Sequence, residues 1–361
     1  MTAIPVDSAS ERLEALRRRL RPGEGMLVTN ITNVRYLTGF TGSSGFVLVA
    51  RGGAAFATDF RYMEQAGAEV QGLEVVRERK NRVSAIRALA RRMGLRRLLV
   101  ESSVTHEFFE RLSSAGGPGV KAVKGVVERL RAVKDARELA LVREAVRRAE
   151  AAFRKVRPFI KAGVRERAVA LRLEEALKRQ GCSRVPFDII VASGPNSALP
   201  HARASERKLS AGDLVIIDWG GEAGGYFSDM TRTLLVRGKD TARKREVHGL
   251  VLRANREAMA LVAPGVEAGR IDGAARGVIS QAGYGREFGH ALGHGVGLEV
   301  HEEPRVARGR RERVREGMVF TVEPGVYVPG LGGVRIEDMA AVREGGAEEL
   351  TSLARGLQVV S

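Results

Sequence analysis

Leu214-Val-Ile-Ile-Asp218-Trp-Gly-Gly-Glu-Ala-Gly-Gly-Tyr-Phe-Ser-Asp229-Met-Thr-Arg-Thr-Leu-Leu-Val236 reads as two apolar strands joined by a glycine-rich turn. With Ala223-Gly224 as a two-residue turn, Asp218 is expected directly opposite Asp229. Side chains so paired share a face, with Cβ atoms roughly 4.5–5.5 Å apart. Two carboxylates at that distance repel each other unless a positive charge lies between them, which points to a metal site.

A second acidic hairpin follows further along. Phe320 to Val328 and Gly333 to Ala341 flank Pro329-Gly-Leu-Gly332, and a turn centred on Gly330 opposes Glu323 to Glu337. Two such pairs can bridge two cations roughly 3.5–4 Å apart. The competing reading is four surface acids on solvated strands. It fits less well, because these acids interrupt apolar runs instead of alternating out of them. Between the hairpins lie three of the chain's 6 histidines, His290, His294 and His301, in a glycine-rich segment that lets the backbone approach closely. His106 and His248 fall in helical stretches and read as structural or exposed.

Outward from the hairpins, the second half carries a weak internal repeat. A helix ends at Ala162-Gly163-Val164 and another follows, stopping at Gly181; the arrangement recurs from Pro264-Gly265-Val266 to Gly283 with the same glycine spacing. Two related halves facing one another create a cleft, a common ligand site. A long helix is expected over Ala136–Val156 from the spacing of Leu139, Val142, Ala145, Val146 and Ala149. Before it, strands are expected at Gly25–Asn30, Gly45–Ala50, Ala54–Thr58 and Leu95–Glu101. Helices are expected at Glu11–Leu20, Arg61–Ala68, Arg82–Met93 and Glu107–Ser113, with a loop over Ser113–Gly119. This alternation predicts an α/β layer domain over 1–130, followed by a second domain over 131–361.

Bulk properties bound the partners. A chain of 361 residues, 44% hydrophobic and 29% charged, is ordinary for a globular protein of two domains. No apolar run approaches the ~20 residues of a membrane span. Met1 to Ser10 lacks a basic-then-apolar pattern, so no signal peptide is expected. Cys182 alone permits no internal disulfide; it reads as a buried, inert thiol, and a cytoplasmic location is expected. The net charge of +17 raises nucleic-acid binding, but the basic residues are spread along helices such as Arg12–Arg21 and Arg137–Arg157 with acids between them. With aromatics at 5% there is little to stack bases on, so a nucleic-acid partner is not expected; the charge can still attract peptide carboxylates.

The segments Ile216-Ile-Asp-Trp-Gly220, Ser228-Asp-Met-Thr-Arg-Thr233, Gly293-His-Gly-Val-Gly-Leu-Glu-Val-His-Glu302, Thr321-Val-Glu-Pro-Gly325 and Val334-Arg-Ile-Glu-Asp338 resemble the pita-bread metallopeptidases. Within that family they resemble the proline-specific branch of prolidase and aminopeptidase P. Asn30-Ile-Thr-Asn-Val-Arg-Tyr-Leu-Thr-Gly-Phe-Thr-Gly-Ser43 and Thr58-Asp-Phe-Arg-Tyr62 are similar to the creatinase-type N-terminal domain of that branch, which methionine aminopeptidases lack. The resemblance implies an α/β creatinase-type domain followed by an α+β pita-bread catalytic domain with a pseudo-two-fold repeat.

It also implies roles. Asp229, His294 and Glu337 would hold one metal, and Asp218, Asp229, Glu323 and Glu337 the other. Oxygen-rich ligation with one imidazole favours Mn²⁺, with Co²⁺ or Zn²⁺ as the alternatives known in the family. Glu323 would be the general base, and His201 and His301 would hydrogen-bond the substrate or its developing charge. His290 would line the proline pocket, and Arg335 would support Glu337. Arg305 falls where some prolidases bind the proline carboxylate, which favours a Xaa-Pro dipeptidase over the alternative, a Xaa-Pro aminopeptidase acting on longer peptides. Relatives are commonly homodimers. Metal-free creatinase-like enzymes and non-enzymatic binding modules share the fold but usually lose the ligands that are complete here.

Overall fold

The computed structural model describes residues 6–361. Five residues of the segment read for a signal peptide, 1–5, lie outside the described residues. The chain divides into two compact units, Met1–Arg131 and Ala132–Ser361.

The first unit is a six-stranded mixed sheet flanked by helices, in the order Glu74–Arg77, Gly53–Thr58, Phe46–Ala50, Glu24–Val28, Arg97–Glu101, Gly119–Val123. Its core joins Leu27, Phe46, Leu48 and Leu98 of the sheet to Val83, Ile86 and Leu89 of helix Arg82–Arg92. Two strands differ from the sequence-based expectation. Glu74–Arg77 was not expected, nor was Gly119–Val123, which follows directly on the expected Ser/Gly/Pro loop. Both are sheet edges with no fully buried residue, so they carry no apolar run to read. Helix Ile31–Thr38 was also unread; Asn30 caps it by accepting from the Thr32 and Asn33 amides, and Gly39 ends it at φ 78°.

In the second unit, helix Ala136–Val156 begins with a reciprocal capping box between Asp135 and Glu138. A four-stranded sheet runs Gln358–Val360, Met230–Val236, Leu214–Trp219, Ile190–Ser193, and a five-stranded sheet runs Glu302–Val306, Gly293–Gly295, Val319–Val322, Asp338–Arg343, Gly346–Glu349. The internal repeat reaches down to single hydrogen bonds. The Gly163 amide donates to Leu209 O at 2.8 Å and the Gly265 amide to Val314 O at 2.8 Å; the return bonds run from Leu209 to Val164 O and from Val314 to Val266 O. Gly163, Gly181, Gly265 and Gly283 all sit at φ between 84° and 90°, a region that only glycine occupies cheaply.

The first acidic hairpin corrects the expected register. Its turn is Gly224-Gly225, both at positive φ (57° and 91°), not Ala223-Gly224. A two-residue turn of this hand needs positive φ at both central positions, which two glycines supply and an alanine resists. Asp218 therefore faces Thr231, and Asp229 stands two residues before that partner. Two residues are one pleat period, so Asp229 remains on Asp218's side as a diagonal neighbour. The second hairpin keeps the expected register: Gly325 pairs with Arg335 and Val322 with Asp338. Between those pairs the ladder opens at Glu323 and Glu337. The Glu323 amide turns to Leu292 O (2.8 Å) and the Glu337 amide to Thr231 O (3.1 Å), which ties the two hairpins together.

Candidate active site

The acids and the imidazole meet where the hairpins join. Ligand atoms of Asp229, His294 and Glu337 all lie within 4.8 Å of one another. His294 Nε2 is 3.7 Å from Asp229 Oδ2 and 3.4 Å from Glu323 Oε1. Asp218 joins them through its electrostatic influence on Asp229, Glu323 and Glu337. Glu323 thus stands beside His294, whereas the resemblance groups it with Asp218.

Four carboxylates in one buried cluster are costly to keep ionised. Burial is the leading cause that raises Asp218, and burial followed by repulsion from Glu337 raises Asp229 well above the carboxylate range. Burial pushes Glu323 up to about 8, and burial with repulsion from Glu323 raises Glu337. Asp218 Oδ1 and Asp229 Oδ1 are buried without any hydrogen-bond partner. Orphaned buried oxygens around one imidazole are the donor set that divalent cations fit. His294 is pushed down to about 4, first by burial and then by His301, so it is neutral near pH 7. Its Nδ1 lies 3.2 Å from Gly295 O, and a proton held there leaves the Nε2 lone pair directed at the carboxylates.

Arg335 organises the surroundings. Its Nη2 donates to Asp218 Oδ2 at 2.6 Å, its Nε to Thr231 Oγ1 at 3.0 Å, and its Nη1 to Tyr327 Oη (2.9 Å) and Pro200 O (3.1 Å). Its hydrogen-bonded path to Glu337 runs through Thr231, whose hydroxyl donates to Glu337 Oε2 at 2.6 Å, and its charge also acts on Glu337 to lower it. The Pro200 carbonyl precedes His201, an exposed side chain whose charge is felt by Asp218, His290 and His301. His290 Nε2 lies 3.1 Å from Tyr327 Oη, and the His301 ring centroid is 4.1 Å from that of His294. Arg305 is the strand partner of His294 and, with His290, lines a neighbouring cavity of about 870 Å³.

Thr231 and Tyr327 were not singled out from sequence. Thr231 did carry a signal, a hydroxyl in a fully buried strand two residues from Asp229. Tyr327 carried none beyond its place in an apolar strand. Of the histidines set aside, His106 is exposed beside Glu110 and His248 is buried. Cys182 is buried with its thiol accepting from the Glu222 amide. Some of the basic residues sit on helix surfaces paired with acids one turn away, as in Arg179–Glu175 and Lys178–Glu174. Among the described residues no helix is long and apolar enough to cross a membrane.

Comparison with known proteins agrees with this geometry. Residues 140–344 match the metallopeptidase family M24 and residues 12–133 the creatinase/prolidase N-terminal domain. An uncharacterised peptidase of Bacillus subtilis is 40% identical over 93% of this chain and 96% of its own. The structure of a Xaa-Pro dipeptidase from Bacillus anthracis superposes with a TM-score of 0.95 at 38% identity, covering 98% of this chain and 100% of that one. That of an X-Pro aminopeptidase from Thermotoga maritima gives 0.88 at 36% identity, covering 97% and 99%. The chain belongs to metallopeptidase family M24, with a creatinase/prolidase-type N-terminal domain ahead of a pita-bread catalytic domain.

Proposed function

We propose that the chain is a dinuclear-metal Xaa-Pro dipeptidase. The observation that carries this reading is the convergence of Asp229, His294 and Glu337, with Glu323 beside His294, Asp218 acting on the same carboxylates, and two buried carboxylate oxygens left unpartnered. Asp229 and Glu337 would bridge two cations; the 3.4 Å between Glu323 and His294 supports grouping those two on one cation and Asp218 on the other. Oxygen-rich ligation favours Mn²⁺. When bound, such a pair supplies Lewis acidity and lowers the pKa of water to near neutrality.

The side chains then have distinct tasks. Glu323 takes the proton from the attacking water as its oxygen bonds to the scissile carbonyl carbon. It returns that proton to the proline nitrogen as the C–N bond breaks. His301 and His201 donate to the substrate carbonyl and to the charge that develops on it. His290, held against Tyr327, walls the ring pocket, and Arg305 meets the proline carboxylate. A bond preceding proline is a tertiary amide without an N–H, so a site that shapes itself to the ring loses no hydrogen bond there. The dipeptidase named among the similar structures supports this substrate class.

A Xaa-Pro aminopeptidase is the second reading, favoured by a cavity beside His290 that is several times larger than one proline residue. The manganese-loaded protein is expected to release proline from Ala-Pro, and to do so faster than it cleaves Ala-Pro-Ala. Faster cleavage of the tripeptide overturns the dipeptidase reading in favour of the aminopeptidase. No metal retained and no proline released overturns both.

A further inference from the structure

The cavity next to His290 carries more positive charge than one terminal carboxylate requires. Arg276, Arg286, Arg305 and Arg308 line it, against Glu287 as the single carboxylate in its wall. Arg276 is committed to structure: it grips both oxygens of Asp272 at 2.8 Å and donates to Phe288 O and His290 O. The other three are exposed and, among the described residues, have no side-chain hydrogen bond, ion pair or ring contact. Three free guanidinium groups around one concavity repel each other and attract any anion of fitting size. The cavity, about 870 Å³, falls within the ~300–1,000 Å³ range of ligand sites, so it has room beyond a proline.

Its position fixes what the anion belongs to. His290 and Arg305 sit on its wall, and Arg305 is the strand partner of the metal-site residue His294. A peptide with its proline at His290 would send whatever follows the proline into this space. We propose that Arg286 and Arg308, together with Arg305, form a subsite for the residue after proline and select an acidic one. This rests on the Xaa-Pro reading above, dipeptidase or aminopeptidase, and adds the chemical class of the residue that follows proline in a bound peptide. An Asp or Glu at that position brings two carboxylates, its side chain and the chain terminus, to meet Arg286 and Arg308, which a dipeptide leaves unused, alongside Arg305.

The test compares Ala-Pro, Ala-Pro-Glu, Ala-Pro-Gln and Ala-Pro-Lys on the full-length manganese-loaded protein. It reads kcat/KM where a peptide is cleaved and inhibition of Ala-Pro hydrolysis where it is not. The glutamate peptide is expected to be favoured over the lysine peptide by about tenfold at low ionic strength, the size expected of two or three exposed charge pairs. The ratio should shrink as salt is added. The double variant Arg286→Gln/Arg308→Gln, on exposed positions, should bring the ratio close to one while Ala-Pro turnover stays unchanged. A flat series on the native protein, or a ratio that survives the double substitution, overturns the subsite while Ala-Pro activity stands. Absence of hydrolysis of every peptide in the series overturns the Xaa-Pro reading, and the subsite with it.

Discussion

The Thr231 hydroxyl donates to Glu337 Oε2 at 2.6 Å and in turn accepts from Arg335 Nε at 3.0 Å. One small polar side chain thereby orients a carboxylate of the candidate metal site, and it does so from the strand position directly across from Asp218. Thr231→Val keeps the shape but leaves Glu337 without its donor and Arg335 Nε without an acceptor. It is expected to weaken manganese affinity and kcat/KM by about 10–100-fold, the usual effect of losing such a supporting group. Thr231→Ser should retain most of both. Equal titration curves for manganese in the native and valine proteins would remove Thr231 from this role.

The carboxylate cluster makes the metal-free protein store repulsion. Asp229 feels Glu337, Asp218 and Glu323 at once. Asp229→Asn removes one of these charges, so the chelated variant should melt higher than the chelated native protein, by about 2–4 °C for about 1 kcal/mol. The same variant should lose the rise in Tm that manganese is expected to give the native protein, and its activity. A chelated variant that melts lower than the native protein would show that no repulsion is stored there.

Gly293 has no room for a side chain. A Cβ there would lie 1.9 Å from the Thr321 carbonyl oxygen, a rigid backbone atom beside the His294 strand. Gly293→Ala is expected to cost about 3 kcal/mol through forced backbone shifts, seen as lower Tm and soluble yield. Gly289→Ala, with nothing within 4 Å of its Cβ, is the control and should melt like the native protein. Matching Tm values for the two variants would count against this packing.

His248 makes stability fall in mild acid. Burial first, and Arg232 second, push its imidazole from 6.5 down to about 4. Above pH 6.5 both folded and unfolded chains hold it neutral, so its contribution is fully present there. As pH drops from 6.5 toward 4, only the unfolded chain takes the proton, and stability declines by on the order of 3 kcal/mol across that window. His248→Gln should therefore lose less Tm than the native protein between about pH 7 and about pH 5. Parallel pH profiles of the two proteins would exclude this origin.

How much was legible depended on where each signal was stored. The four acids could be read because each breaks an apolar strand, and the three clustered histidines because they sit in a glycine-rich run; the family resemblance picked His294 from among them. Helix Ala136–Val156 could be read because its buried residues recur with helical spacing. Edge strands Glu74–Arg77 and Gly119–Val123 could not, since they bury no residue fully and so leave no pattern. The Asp218–Asp229 pairing was misplaced by one pleat because Ala223-Gly224 and Gly224-Gly225 are both plausible turns, and only the completed ladder separates them.

The sequence by itself determined which side chains carry the four carboxylates and on which hairpins they lie, because strand periodicity and turn chemistry are local; it placed three histidines between the hairpins, and the family resemblance singled out His294. Tertiary structure alone decided that Arg335 serves Asp218 directly and Glu337 through Thr231, and that Glu323 stands with His294. It also decided that three unpaired arginines share one cavity. Those relationships join residues far apart along the chain, and their distances exist only once packing has brought the two hairpins and the histidine strand together.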